Sequence, residues 1–462
     1  MRRNFFVGLS LLLFTAAAFA QTPMTRNDVL RHAFNNSESL AQLQAERKRT
    51  ELMRNEHQSA AFPQINAAFN YAFMPDLNDT PDVPSFSGMM TEAASPYDHI
   101  LAGGLDGIYG ALGSMSPKNA LQWELNATQV LFAQGKIRTA LRIAETALQI
   151  VDLRLESAKF ELAESVVNAY NGALMAQQNK RIQNEALGIA EESHRIALAR
   201  FSAGRGSALD TLNTRLAHQQ AILRLREAEM GKRIALKQLA TAASMENDNI
   251  VLLDSLTVPQ FSMTEEQAWA RMQENNSNIR LLSTLRSMQE EQTNMARTDY
   301  RPTVAAFASF GQTNAFSSGD EFSDGARWDA RIGLRAQVPI WDGGRRRSRM
   351  SQAHLLEFEA ERNEAQANRG LRLALTAAFE QFEVAKQELA QVEQMIVLAE
   401  QGFRISKLSF EIGQLTQLEL NNSEQMQRTT QLAFKNAVLK INSAVVSIER
   451  LMGDKSLISV NN

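Results

Sequence analysis

Val130-Leu131-Phe132-Ala133-Gln134-Gly135-Lys136-Ile137-Arg138 can be laid on Pro339-Ile340-Trp341-Asp342-Gly343-Gly344-Arg345-Arg346-Arg347, and Phe201-Ser202-Ala203-Gly204 on Phe410-Glu411-Ile412-Gly413. Both pairs stand 209 positions apart (340 − 131 and 410 − 201). An unchanged offset makes the two intervening segments equal in length, as two copies of one long rigid element require. The chain is an internal duplication, and that fixes its architecture before any single residue is interpreted.

From Lys136 to Arg200 there is no proline. A continuous helix over that stretch is about 100 Å long at 1.5 Å per residue. Leu141, Leu148, Leu155 and Leu162 recur every seven residues, with Ala144, Val151, Ala158, Ser165 and Gly172 three positions behind. This is a heptad seam whose second row is small, so a neighbouring helix can approach closely. Copy two repeats it with Leu375, Phe382, Leu389 and Ile396, and with Ala378, Ala385, Val392 and Ala399. Each long helix ends at a Gly-centred turn suited to the left-handed conformation that stops a helix, and a second helix returns at once. Leu209, Leu216, Leu223 and Met230 keep the seven-residue spacing on the first return.

Ahead of each hairpin the period changes to two. Ile65, Ala67, Phe69, Tyr71 and Phe73 alternate with Gln64, Asn66, Ala68, Asn70 and Ala72, and Leu121, Trp123, Leu125 and Ala127 with Gln122, Glu124, Asn126 and Thr128. Copy two offers Val304 to Phe310, where Phe307 breaks the pattern, and then Trp328, Ala330, Ile332, Leu334 and Ala336 against Asp329, Arg331, Gly333, Arg335 and Gln337. Such half-apolar strands suit a soluble sheet on a core, or a barrel in lipid with a wet interior. Four strands cannot close, since small barrels need about eight, and an open edge in hydrocarbon costs several kcal/mol per unpaired backbone group. In a membrane, several chains must therefore share one barrel, and three copies supply 3 × 4 = 12 strands.

The chain divides into a signal peptide (1–20), a first repeat (21–258; strands near 63–74 and 120–132, hairpin near 136–243) and a second (259–462; strands near 302–312 and 328–341, hairpin near 345–452). The signal rests on Arg2 and Arg3, an apolar run too short to span a bilayer, and Ala18-Phe19-Ala20 before Gln21. Export is the expectation. With no Cys among 462 residues, a disulfide scaffold is excluded. A net charge of −3 gives no electrostatic reason to expect nucleic acid, and no later apolar run reaches the length of a helical membrane span. Pro75 to Pro117 in copy one is far longer than the acidic loop around Ser317-Ser318-Gly319-Asp320-Glu321 in copy two. Its apolar half, Ile100 to Leu112, is either a cap over a barrel mouth or a disordered insert.

A signal, a duplicated strand-strand-long-helix-hairpin unit and the paired strand endings at Leu131 to Lys136 and Pro339 to Arg345 together resemble the TolC-type outer membrane efflux family. The second-copy Pro-Ile-Trp-Asp-Gly-Gly segment is close to the family's usual Pro-Leu-Phe-Asp-Gly-Gly, while the first copy departs at Ala133 and Gln134. The resemblance implies a mainly α protein with membrane β: a homotrimeric 12-stranded β-barrel in the outer membrane, continued by a long α-helical barrel across the periplasm. It implies a passive exit duct of a tripartite efflux or type I secretion system, docking by its helix-turn tips onto a periplasmic adaptor of an inner-membrane pump. The positions matching the family's tips are Ala203, Gly204 and Arg205, and Ile412, Gly413 and Gln414; only the glycines match fully. Where the family narrows its pore with acidic side chains, this sequence has Glu400, Gln401 and Arg404, so no acidic gate is carried over. Arg404 facing the pore would disfavour cations; the other reading is a solvated outer face.

Lys136 and Arg138, and Arg345, Arg346 and Arg347, directly follow strands, where guanidinium and ammonium groups can meet phospholipid headgroups as interfacial anchors. The six histidines are scattered, and no H-E-x-x-H, G-x-S-x-G or P-loop pattern is present, so neither enzyme chemistry, a cofactor nor a metal is expected. Asp76, Asn78, Asp79 and Asp82 read as a solvated acidic loop rather than a divalent-ion site. The rival from another class is a soluble periplasmic coiled-coil adaptor or structural protein, which would have to cover Trp123 and Trp328.

Overall fold

The computed structural model describes residues 22–73, 85–90, 95–113, 119–246, 249–316 and 326–459. The signal segment, the Asp76–Asp82 acidic positions and the loop around Ser317 to Glu321 lie outside them.

The duplication is visible element by element. Copy one runs β1 (Thr22–Met24), α1 (Arg26–Asn36), α2 (Glu38–Ser59), β2 (Gln64–Phe73), α3 (Pro96–Gly113), β3 (Asn119–Phe132), α4 (Lys136–Ser202) and α5 (Ala208–Ala242). Copy two runs β4 (Ile250–Leu252), α6 (Glu265–Asn275), α7 (Ser277–Thr298), β5 (Thr303–Phe316), β6 (Ala326–Gln337), α8 (Arg345–Glu411) and α9 (Gln417–Met452). α1 and α6 are each 11 residues, α2 and α7 each 22, and α4 and α8 each 67. The early pairs recur at an offset of 239 (265 − 26) and the long hairpins at 209 (345 − 136). Copy one therefore carries 30 extra residues between its two strands. There the structure has a helix, α3, in place of the disorder that sequence leaves open. A Ser95–Asp98 pair starts it, and the Asp106 carboxylate ties it back by accepting from the Phe86 and Ser87 backbone N–H groups and the Ser87 hydroxyl.

Two compact units each draw on both repeats. The first comprises Met1–Thr50, Ala147–Ser287 and Phe358–Asn462. Its core is where the short helices meet the long ones: Val29, Leu30 and Ala33 of α1 and Ala268 and Met272 of α6, with Phe160, Val166, Tyr170 and Leu174 of α4, Leu375 of α8, and Ile441, Ile448 and Met452 of α9. α1 and α6 begin on matching capping boxes, Thr25 with Asp28 and Thr264 with Gln267, which satisfy the otherwise orphaned first-turn N–H groups. β1 and β4, one from each copy, pair in parallel. Along α4 the small row is buried at Ala144 and Val151, half-buried at Ala158 and Gly172 and exposed at Ser165, so it packs closely only over part of its length.

The second unit, Glu51–Thr146 with Met288–Glu357, holds a four-stranded antiparallel sheet in the order β2-β3-β5-β6. β5 continues beyond the expected stretch because its pairing with β3 runs on to Asn119 opposite Phe316. β6 stops at Gln337, short of the expected 341. Pro339 has no N–H to donate to a ladder, and its carbonyl accepts from Arg346 Nη1 at 2.9 Å instead.

The strand-to-helix junctions adopt one backbone turn in both copies. Gly343 and Gly344 have φ of 69° and 87°, and the matching Gln134 and Gly135 have 46° and 89°. Gln134 thus occupies a left-handed conformation that costs a residue with a Cβ about 1 kcal/mol or more. Gln134→Gly is expected to stabilise the protein by about 1 kcal/mol, read as a raised midpoint of denaturant unfolding. An unchanged or lowered midpoint would show that the position is unstrained.

Candidate functional site

The sheet separates its side chains by chemistry more cleanly than the sequence alternation does. Register places Phe69 opposite Trp123, Leu125 opposite Phe310, Ala308 opposite Ile332 and Ala306 opposite Leu334, so that one face is continuous across all four strands. Trp123, Phe310 and Trp328 meet there with ring centroids 5.5–5.8 Å apart, and the Trp123 indole N–H donates to Gln312 Oε1 at 3.2 Å. Among the described residues this face is largely uncovered: Phe69 is 69% exposed, Trp328 63% and Ile332 91%. Every charged residue of the four strands, Glu124, Arg327, Asp329, Arg331 and Arg335, falls in the rows of the opposite face. β2 and β6 are edges, each with one side unpaired among the described residues.

The basic residues that follow the strands are less free than the sequence suggests. Arg346 is turned inward: its backbone N–H and Nε donate to Asp342 Oδ2 at 3.1 and 2.9 Å, its Nη1 to Pro339 O, and its guanidinium lies 5.1 Å over the Tyr300 ring. It closes the Asp-Gly-Gly turn and leaves no headgroup-facing cation. Burial raises the Asp342 carboxyl, but the Arg346 side-chain and backbone bonds outweigh it and hold the group below the ordinary carboxylate value. Lys136 pairs with Asp299 at 3.1 Å, and Arg142 with Glu291 at 2.9 Å. Arg138, Arg345 and Arg347 remain exposed.

The two hairpin turns share one geometry. After α4 the N–H of Gly204 donates to Phe201 O and that of Arg205 to Arg200 O; after α8 the N–H of Gly413 donates to Phe410 O and that of Gln414 to Ser409 O. With φ of 72° and 83° at the glycines, these are the nested C-terminal bonds that satisfy a helix's last carbonyls. The return helices start on Ser207 and Thr416, again at the 209 offset, and Thr416 forms a capping box with Glu419. Exposed side chains flank both glycines, including Arg205 and the 69% exposed Ile412.

One contact at the tips has no signature in the sequence. Arg200 Nη2 donates to Phe410 O at 2.9 Å and Glu411 O at 3.1 Å, and its guanidinium stands 4.8 Å over the Phe410 ring. A cation from the first hairpin thereby caps the negative end of α8 in the second. A cavity of about 240 Å³ lies beside it, lined by Arg200, Asp210, Phe410 and Thr416 among others. Further back on α8, Glu400, Gln401 and Arg404 are all exposed, while Phe403 and Phe410 turn inward. Glu400, Arg404 and Lys407 share a stripe by their i, i+4, i+7 spacing. Glu192 of α4 is held below its ordinary value first by the Arg195 side chain, with Lys407 the last contributor.

These features coincide with a known family. The sequence matches the family described as outer membrane efflux protein over residues 29–244 and 270–454. The chain belongs to the outer membrane efflux protein family. Its place is the outer membrane, with extension into the periplasm. It is 26% identical over 198 residues to the alkaline protease secretion protein AprF of Pseudomonas aeruginosa, covering 42% of this chain and 40% of that one. It is 29% identical over 251 residues to protein CyaE of Bordetella pertussis, covering 54% and 52%. The matched stretch thus spans about half the length of these relatives. The outer membrane protein VceC of Vibrio cholerae shares the fold, with a TM-score of 0.70 at 15% identity over 93% of this chain and 96% of that one. No helix among the described residues is long and apolar enough to cross a membrane.

Arg200→Ala removes two charge-assisted bonds, leaving Phe410 O with the Gly413 N–H alone and Glu411 O without its Arg200 donor, so amide exchange across residues 409–417 is expected to accelerate roughly tenfold or more. Arg200→Lys should restore part of the protection, and unchanged exchange in Arg200→Ala would refute the cap. The Thr416 side chain first, and its backbone second, hold the Glu419 carboxyl below its ordinary value of 4.5. A depressed carboxyl contributes stability that is fully present above the unfolded value and is lost as pH falls through the folded one. The first turn of α9 should therefore fray on acidification below about pH 4.5, and Glu419→Gln should remove that pH dependence in the same exchange measurement.

Proposed function

We propose that three copies of this chain form a passive exit duct through the outer membrane, the channel of a tripartite efflux or type I secretion system. Three sheets would close as a 12-stranded barrel, β6 of one copy pairing with β2 of the next, and the long hairpins would continue it as a helical barrel. The observation that carries this reading is the segregation in the sheet: large apolar and aromatic side chains stand uncovered on one face, and all charged ones lie on the other. Lipid is the solvent for the first face and a water-filled lumen for the second. The same observation disfavours a soluble adaptor, for which the exposed Trp328 and Ile332 would be an aggregation surface.

In this reading energy comes from an inner-membrane pump, and Ala203, Gly204, Arg205, Ile412, Gly413 and Gln414 form the surface met by a periplasmic adaptor. Glu400, Gln401 and Arg404 flank the narrow end, and Arg138, Arg345 and Arg347 meet headgroups. The protease secretion named for AprF favours polypeptide export over small-molecule efflux. Two measurements test the duct. The purified protein should migrate as a trimer in detergent and give discrete single-channel currents in planar bilayers; release from cells without detergent, or failure to conduct as a trimer, would overturn the proposal.

A further inference from the structure

Phe307 is the one aromatic residue on the polar face of the sheet among the described residues. Its ring lies across Gly333 on the neighbouring strand: a Cβ at Gly333 would come within 2.9 Å of it, so the glycine is what makes room for it. The guanidinium of Arg335 stands 5.5 Å over the same ring. The break in alternation thus builds a platform, and a cation–π contact holds Arg335 extended across the face.

Arg335 is one end of a stripe. Arg327, Arg331 and Arg335 follow at four-residue steps on β6, all exposed and on one face. At about 3.3 Å per residue the steps are about 13 Å and the stripe about 26 Å long. Asp329 pairs with Arg331, and Glu124 lies in the same cross-strand row as Asp329, with Gly311 between them. Three arginines against two carboxylates leave the face net positive, with the cations at both ends and the carboxylates confined to one row.

We propose that this stripe gives the barrel lumen a preference for extended, carboxylate-bearing polypeptide, with Arg327 and Arg335 as the specificity-determining residues and Phe307 as a positioning residue for Arg335. The inference rests on the barrel reading above. A small anion meets one arginine at a time, whereas an extended acidic chain meets cations about 26 Å apart at once. In a closed trimer the stripe would be repeated three times around a water-filled wall, where fixed charge sets which counter-ions accumulate.

Poly-L-glutamate, applied in planar bilayers from the side of the strand loops so that it need not pass the tips, tests this directly. At 0.1 M KCl it should block the wild-type current while poly-L-lysine at equal concentration does not, and the block should fade at 1 M, where charges are screened within about 3 Å. Arg327→Gln and Arg335→Gln should each weaken the block roughly tenfold, Phe307→Leu should weaken it at unchanged conductance, and Arg335→Lys should largely keep it. Equal block by both polymers, or Gln variants that block like the wild type, would overturn the inference while leaving the duct intact. A wild-type protein that forms no channel would overturn the barrel reading and this inference with it.

Discussion

A backbone N–H or C=O left without a partner in hydrocarbon costs several kcal/mol, and the edges of the four-stranded sheet present a row of them. The rest of the molecule answers to that constraint. Among the described residues nothing covers Phe69, Leu125, Phe310, Trp328, Ile332 and Leu334, and such a face is poorly matched to water. The sheet is too narrow to close on itself, and in the proposed duct its edges are met by other copies. The duplication then follows naturally, since a repeated unit supplies two strand pairs and two long helices of equal length.

The long helices depend on a different balance. Two 67-residue helices carry modest apolar content along their length, and their burial is concentrated where α1 and α6 pack on them. Elsewhere the hairpins keep exposed apolar rows, such as Leu209, Leu216, Leu223 and Met230, for surfaces outside the protomer. Stability without disulfides therefore comes from one dense core, together with caps and turns that satisfy each helix end locally.

Much of this was readable from residue spacing. The 209 offset located both turns and both junctions because helix termini and left-handed glycines are local chemistry, and local chemistry repeats with the sequence. What was not readable depended on partners far along the chain. Phe307 looks like an error in alternation until Gly333 is placed beside it, and Arg200 carries no mark of the α8 carbonyls that it meets 210 residues later. Arg346 differs for the opposite reason: a run of three arginines after a strand reads as an anchor for lipid headgroups, yet the middle one is drawn in by Asp342 and Tyr300. The extra 30 residues of copy one were visible as an insertion, but α3 was not, because its glycines argued against a helix.

Arg200 has no twin. The position that corresponds to it in the second copy is Ser409, too short to reach across to another helix terminus. The two turns of a protomer share a backbone but are not interchangeable, since one gives the clasp and the other receives it. Around a threefold assembly they would alternate as six vertices of two kinds, so a visiting protein would find a ring with a sense of direction rather than six equal seats.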